Sequence, residues 1–413
     1  FANYAEATAA PATYEMTDEQ KAAFDNAHTY VEAGYQQDDD ANAADITTGA
    51  KNGLKLADLR GVDYNDAQWD ALLDQMSIDD LQQIIGFGGY QTAAVSSIEK
   101  VRTSDCDGPA SINNFFTGVG SVGFPAAALI GMTWDKDLAY AFGDSIGEMA
   151  DEMDTSGWYG PAMNIHRTAF AGRNFEYYSE DGFLSGMMSA YEVKAIQDKG
   201  VHVVMKHFAL NDCEQDRIGL GVWLNEQAAR EVYLKAFQAP VEVGNANGVM
   251  IAYTRWGAVW SGGNYGLVTG ILRNEWGCDG MVITDNVLTQ YVNGPDGVLA
   301  GVSIYDAMMS FVTDTLPKYK NDPVIVTAMR EACHHNLYAI ANSCGMNGVG
   351  ADTTIKVTRP TVVTMSIIIA CAFTFFCLLG IVMWIIGGIK FRKTEEYKAY
   401  KDFKKSLKAS KKA

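Results

Sequence analysis

The sequence predicts an α/β fold: a TIM-like (β/α)8 barrel, or a distorted form of one, followed by a single transmembrane helix. Three observations predict it. Four apolar, strand-like runs each end in polar side chains: Tyr159–Arg167 on Asn164, His166 and Arg167; Gly200–Phe208 on Lys206 and His207; Gly248–Arg255 on Tyr253 and Arg255; Gly280–Asn286 on Asp285. In a parallel barrel the C-terminal strand ends share one face, and the chemistry sits there. Between Gly86 and Gly350 such runs alternate with helical stretches, as crossovers in a parallel sheet require. Finally, Val362–Ile389 holds no charged residue and exceeds the roughly 20 apolar residues that span a bilayer.

Taken in order, residues 1–61 are polar, Ala-rich and acidic, and read as an N-terminal segment or linker. Thr17 and Gln20 form a capping-box pattern that starts one helix. Gln36–Asp45 reads as an exposed loop. Trp69, Leu72, Leu73 and Met76 recur at helical spacing, and Ser77 caps a second helix that stops at Gly86. Asn225–Gln238 reads as a helix with Ala228, Val232 and Phe237 on its apolar side, and Tyr265–Trp276 as another bounded by glycines. The barrel is assigned to 62–346, a juxtamembrane linker to 347–361, the span to 362–389 and a basic tail to 390–413.

That tail carries ten basic and three acidic residues, a net of +7, so with −18 on the whole chain the rest carries −25. Basic flanks stay on the cytoplasmic side. The expectation is a single-pass protein of the cell membrane, with its C-terminus cytoplasmic and its acidic bulk extracellular. So acidic an exterior argues against a nucleic-acid partner. The chain begins at Phe1, without an initiator Met or a leader pattern, and is expected to be a fragment or a processed form. Seven cysteines show neither a CxxC nor a tight Cys/His spacing, so isolated thiols are expected, with Cys333–Cys344 the one pairing open.

Each strand-end residue has a functional and a structural reading. Asp285 is suited to attack an acetal carbon or to act as a base; its bland alternative is a helix N-cap. Lys206 and His207 suit hydrogen bonding to several hydroxyls. The alternatives are Lys206 paired with Asp212 or Asp216, His207 as a satisfied core histidine, or Lys206 as a Schiff-base lysine. Tyr253 offers a phenol near Asp285, or is simply a half-buried aromatic. Arg173 binds hydroxyls or a carboxylate, or is neutralised by Glu176 and Glu180. Asp105–Pro109 reads first as a turn, with Asp107 functional only in context.

Together DGPA (Asp107–Ala110), GPAMNIHR (Gly160–Arg167), GRNFEYYSED (Gly172–Asp181), KHFALND (Lys206–Asp212), VMIAYTR (Val249–Arg255) and LRNEWGCDGMVITD (Leu272–Asp285) resemble glycoside hydrolase family 3, in the family's order, over roughly Tyr64–Gly345. The resemblance implies that Asp285 is the catalytic nucleophile. It implies that Asp107, Arg173, Lys206 and His207 hold sugar hydroxyls and that Tyr253 supports the nucleophile. The reaction would be double displacement through a covalent glycosyl-Asp285, retaining the β configuration, on an oligosaccharide or β-glycoside substrate, with no metal and no organic cofactor.

The chain differs from the family's usual pattern in several places. Asn286 follows the nucleophile where Trp is common, so an aromatic platform is absent or supplied elsewhere. Asn113 stands near a position often held by Arg. The Asp–His dyad of the N-acetylglucosaminidase branch is not visible after His207. Nor does the chain show the α/β sandwich domain that gives most of the family its acid/base Glu. The expectation is therefore a nucleophile half-site, with the acid/base supplied by an upstream sandwich domain or another chain. The resulting reading is a membrane-anchored extracellular β-glucosidase. The alternatives are a carbohydrate-binding or scaffold protein that kept the pocket, a β-xylosidase or β-N-acetylglucosaminidase of the same family, and a Schiff-base lyase using Lys206.

Overall fold

The structure is a computed structural model describing residues 4–10, 12–13, 15–25, 46–287, 291–307, 316–350, 352–356 and 358–411. The segment Gln36–Asp45, expected to be an exposed loop, lies outside the described residues. Two compact units divide between Ile355 and Lys356.

In the first unit, strands β1 (Thr103–Asp107), β2 (Asn113–Asn114), β3 (Val119–Gly120), β4 (Gly157–Tyr159), β5 (His202–Val203), β6 (Met205–Phe208), β7 (Gly248–Ile251) and β8 (Met281–Thr284) build the frame around the site. β1, β4 and β5 pair in parallel, as do β6, β7 and β8. An Ala162–Lys206 bridge joins the stretch after β4 to β6. Beyond β8, Ile304 bridges Ile283 in parallel. The Tyr305 amide then donates to the Ile85 carbonyl, Gly88 to Tyr305, and Asp105 of β1 to Tyr90, at 2.7, 2.9 and 3.0 Å. Every residue of β6, β7 and β8 is buried, as expected of parallel strands covered on both faces.

The covering helices are α1 (Ile78–Gly86), which precedes β1, and α2 (Lys136–Glu152), α3 (Gly182–Asp198), α4 (Lys235–Glu242), α5 (Gly294–Ala300) and α6 (Pro323–Ala341). Their starts are fixed locally. Ser77 Oγ accepts from the Asp80 amide at 3.1 Å, and Asp80 returns a carboxylate to the Ser77 amide at 2.9 Å. Asp135, Asp181 and Asp322 cap α2, α3 and α6, each carboxylate accepting from the amides two and three residues on. Each such cap contributes about 1 kcal/mol. The Thr17–Gln20 capping box is also formed, at 2.9 and 3.2 Å, and opens the helix Asp18–Asp25.

Several expectations change. The run Tyr159–Arg167 is not one strand: β4 ends at Tyr159, and Pro161 has no amide with which to extend it. Asp105–Asp107 belongs to β1 rather than to a turn, which begins only at Gly108. The helix expected over Asn225–Gln238 contains a π-helical turn, Ala229–Tyr233. That turn rotates the buried side onto Ala229, Leu234, Ala236 and Phe237 and leaves Ala228 and Val232 half-buried. Gly266–Glu275 is likewise π-helical. Leu56 and Leu59 are fully buried in the common core, so the compact unit begins before residue 62. Eight regular strand–helix pairs are not seen among the described residues. All seven cysteines are free, including Cys333 and Cys344.

The second unit holds α7 (Thr361–Phe391) and α8 (Glu395–Ser410). At 1.5 Å per residue α7 is about 46 Å long, more than the ~30 Å hydrocarbon core of a bilayer. It is the one described helix long and apolar enough to cross a membrane.

One packing detail carries a pH dependence. α2 and α3 approach closely at Gly143, where a Cβ would lie 2.4 Å from the Glu192 carbonyl oxygen. Glu192 is sealed in this contact. The Tyr178 hydroxyl donates to its Oε2, while Oε1 has no partner. Burial pushes its pKa up to about 8 from an ordinary 4.5. Between those values the folded chain keeps a proton that the unfolded chain releases, so stability falls as pH rises through that window. Glu192→Gln removes the titration. Its Tm relative to the parent should rise from about pH 5 to about pH 8, by direct comparison of melting curves; a pH-independent difference would show that Glu192 does not titrate in this window.

Candidate active site

The strand ends gather five of the six residues singled out from the sequence, and Arg173 reaches the site from the turn before Asn174–Glu176. Asp107 closes β1, Lys206 and His207 lie in β6, Tyr253 follows β7, and Asp285 follows β8. Lys206 Nζ donates to Asp107 Oδ1 at 2.6 Å. The partner of this buried ammonium is therefore Asp107, and neither Asp212 nor Asp216. Asp107 is fixed in turn by the Gly108 amide, 2.9 Å from the same oxygen.

His207 is clamped through its backbone by Asn164, whose amide group pairs with the His207 N–H and C=O at 2.9 Å each. Arg173 Nη1 lies 3.2 Å from His207 Nε2. A guanidinium only donates, so Nε2 accepts and the ring proton sits on Nδ1, which has no partner. Burial, then the charges of Arg173, Lys206 and Arg217, hold the imidazole pKa well below its ordinary value. His207 is thus a neutral ring with one N–H free to donate. Arg173 is anchored by Glu176 through Nε, with Glu214 3.6 Å from Nη1.

Asp285 stands 3.7 Å from His207, measured from Oδ2 to Nε2, without a hydrogen bond between them. Its Oδ1 accepts from the Asn286 amide at 2.7 Å, while Oδ2 is buried and unpartnered. Burial raises the Asp285 pKa; Arg217, the Asn286 amide, Arg173 and Lys206 pull against it, in that order. No described helix begins at Asp285, so the N-cap alternative has no support. The Tyr253 hydroxyl donates to the Asn286 carbonyl at 2.5 Å, which fixes the peptide next to the carboxylate.

Three groups escaped the sequence reading. Arg217 lies 4.5 Å over the Tyr253 ring and pairs with Glu214 at 2.8 Å. Glu214 is held further by the Asn211 amide at 2.8 Å. The signal was the charge-dense stretch Asp212–Arg217 directly after the strand carrying Lys206 and His207. Asp306 follows Val302–Tyr305, the apolar stretch that pairs beside β8. It is buried, and burial, then Asp285, Asp107 and Asp105, raises its pKa far above the carboxylate range. Its signal was a strand-like run ending in Asp, as at Asp285, but interrupted by Ser303.

An aromatic surface borders the site. Asn113 pairs with Asp107 across β1 and β2. The buried Asn114 accepts from the Phe116 and Thr117 amides, fixing the turn that follows. That turn presents Phe115 and Phe116, 69% and 47% exposed, against Tyr90 at ring separations of 6.0 and 5.3 Å.

Residues 111–298 match the glycosyl hydrolase family 3 N terminal domain. That segment contains Arg173, Lys206, His207, Tyr253 and Asp285, and begins just after Asp107. β-Glucosidase A of Butyrivibrio fibrisolvens is 38% identical over 219 residues, 51% of this chain and 26% of that protein. A probable β-glucosidase I of Aspergillus oryzae is 36% identical over 202 residues, 48% of this chain and 24% of that protein. Among solved structures, a β-glucosidase from Paenibacillus barengoltzii is similar with a TM-score of 0.67 and 26% identity, over 76% of this chain and 36% of the other. β-Glucosidase 3B from Thermotoga neapolitana, in complex with α-D-glucose, gives 0.61 and 25%, over 67% and 43%. The chain spans about a quarter of the length of the curated relatives it matches. Over this segment the chain is similar to the N terminal domain of family 3 glycosyl hydrolases and to β-glucosidases.

Arg217 is the leading cation acting on Asp285. Arg217→Gln should therefore shift the Asp285 titration to higher pH. Carbodiimide modification, which needs the protonated acid, should then reach Asp285 at higher pH in the variant, as read by peptide mass spectrometry. An unchanged profile would show that the Arg217 charge does not reach Asp285.

Proposed function

We propose that this chain carries the nucleophile half of a retaining β-glycosidase site, acting on β-glucosides, in a distorted barrel anchored to the cell membrane. The observation that carries this is Asp285: a carboxylate at a strand end, with one oxygen held by a backbone amide and the other unpaired and flanked by His207. In this reading Asp285 Oδ2 attacks the anomeric carbon, the bond to the leaving oxygen breaks, and a glycosyl ester forms. Water then cleaves the ester with a second inversion, so the β configuration is retained. His207 Nδ1–H, Arg173 and the Asp107–Lys206 pair would hold hydroxyls, and Tyr253 would keep the Asn286 peptide, and with it Asp285, in place.

The hydrogen-bonded circuit from β1 through β8 and Ile304 back to Tyr90 is what supports a distorted barrel. Glu214 is engaged by two guanidiniums and an amide, a poor arrangement for a group that must deliver and retrieve a proton. We assign the acid/base to a sandwich domain elsewhere in the protein or to another chain. The length of the relatives beyond the matched segment leaves room for such a domain. In the bilayer α7 would span, with the basic α8 cytoplasmic and the acidic unit extracellular.

Binding without turnover is the second reading, favoured by a polar set that could hold a sugar whether or not Asp285 reacts. One experiment separates them. Incubated with an activated 2-deoxy-2-fluoro-β-glucoside, whose leaving group needs no acid, the folded chain should gain a stable adduct on Asp285. Asp285→Ala should gain none. Absence of an adduct from folded protein that still binds glucose would sink turnover and leave the binding reading.

A further inference from the structure

The C-terminal helix α8 has a feature the glycosidase reading does not use. Tyr397, Tyr400, Phe403 and Leu407 recur every three or four residues and so share one face, on which Glu396 and Lys404 also fall, with the Lys404 ammonium over the Tyr400 ring. Tyr400, Phe403 and Leu407 are 53%, 62% and 44% exposed. Lys398, Lys401, Lys405 and Lys408 recur with the same period along the adjoining face, while Glu395, Asp402 and Ser406 fall on the remaining one. Thr394 caps the helix through the Tyr397 amide at 3.3 Å, and the Phe391 ring, the last residue of α7, lies 5.6 Å from the Tyr397 ring. The apolar stripe therefore continues from the end of the span rather than starting anew.

We infer that α8 lies along an anionic lipid surface, with its aromatic stripe at the headgroup boundary and its lysine row on the phosphates. This rests on α7 spanning the bilayer. An interfacial helix is marked by such a stripe beside lysines and by low overall hydrophobicity. A basic segment next to a span is drawn to anionic lipid. A second copy of α8 is the poorer occupant. Pairing two stripes would bring the bordering lysine rows together, and α8 has only Glu395, Glu396 and Asp402 to answer them.

The test is hydrogen exchange on the full chain, in nanodiscs of phosphatidylcholine alone and of phosphatidylcholine with phosphatidylserine. Amides of 395–410 should exchange at least roughly tenfold more slowly in the anionic discs. The difference should vanish at high salt and in the combined Lys398→Gln, Lys401→Gln, Lys405→Gln and Lys408→Gln variant, while 361–391 stays protected in both lipids. Equal exchange of 395–410 in the two discs overturns the inference, as does protection that depends on the number of chains per disc, which would mean self-association. Free exchange of 361–391 in both discs would instead remove the membrane reading itself.

Discussion

An ammonium at the bottom of a site is tolerable only if it is answered, and Lys206 is answered by Asp107 at 2.6 Å. Much of the site depends on that pair. It ties the end of β1 to β6, two strands far apart in sequence. It also sets the charge that His207, Asp285 and Asp306 feel. His207 is kept neutral partly because Lys206 and two guanidiniums already supply the positive charge. A fourth positive charge in the same pocket would be costly, and a neutral ring with a free N–H is the form that can still donate to a ligand.

The fold around this pair was legible where the chemistry is local. Ser77 and Thr17 announce helix starts because a side chain three residues from its partner can close a capping box without help from the rest of the chain. The ends of β6, β7 and β8 were readable because buried strands show as unbroken apolar runs. Long-range choices were not legible. Asp212 and Asp216 are nearer to Lys206 in sequence, yet Asp107 wins because the parallel order of β1, β4 and the strands beyond brings it alongside. The π-helical turn in Ala229–Tyr233 inserts a shift that an ideal helical period cannot anticipate, so the buried face moved off Ala228 and Val232.

The overlooked Asp306 shows the limit from the other side. The apolar run that delivers it contains Ser303, whose hydroxyl pairs with Asn336 of α6 at 2.7 Å, so a buried polar residue broke the pattern. Arg217 was missed because it sits on a loop, where period gives no guidance, and only proximity to Tyr253 and Glu214 reveals its place. Both residues thus come from the parts of the chain where periodicity says least.

Those two residues also resolve a tension in the site. In the proposed reaction Asp285 must be ionised to act as a nucleophile, yet burial raises its pKa. Asp285 raises the pKa of Asp306 through its charge, and such a pair titrates together rather than as two independent acids. Asp306 is the most deeply buried and has the most acidic neighbours, so burial and repulsion concentrate the proton there. Asp107 has Lys206, and Asp285 has the Asn286 amide with Arg217, Arg173 and Lys206 behind it. A proton resident on Asp306 removes one negative charge from beside Asp285 and leaves that carboxylate supported by the cations around it. In the proposed reaction, a proton held by Asp306 is then what favours the ionised form of Asp285, whose buried Oδ2 has no hydrogen-bond partner.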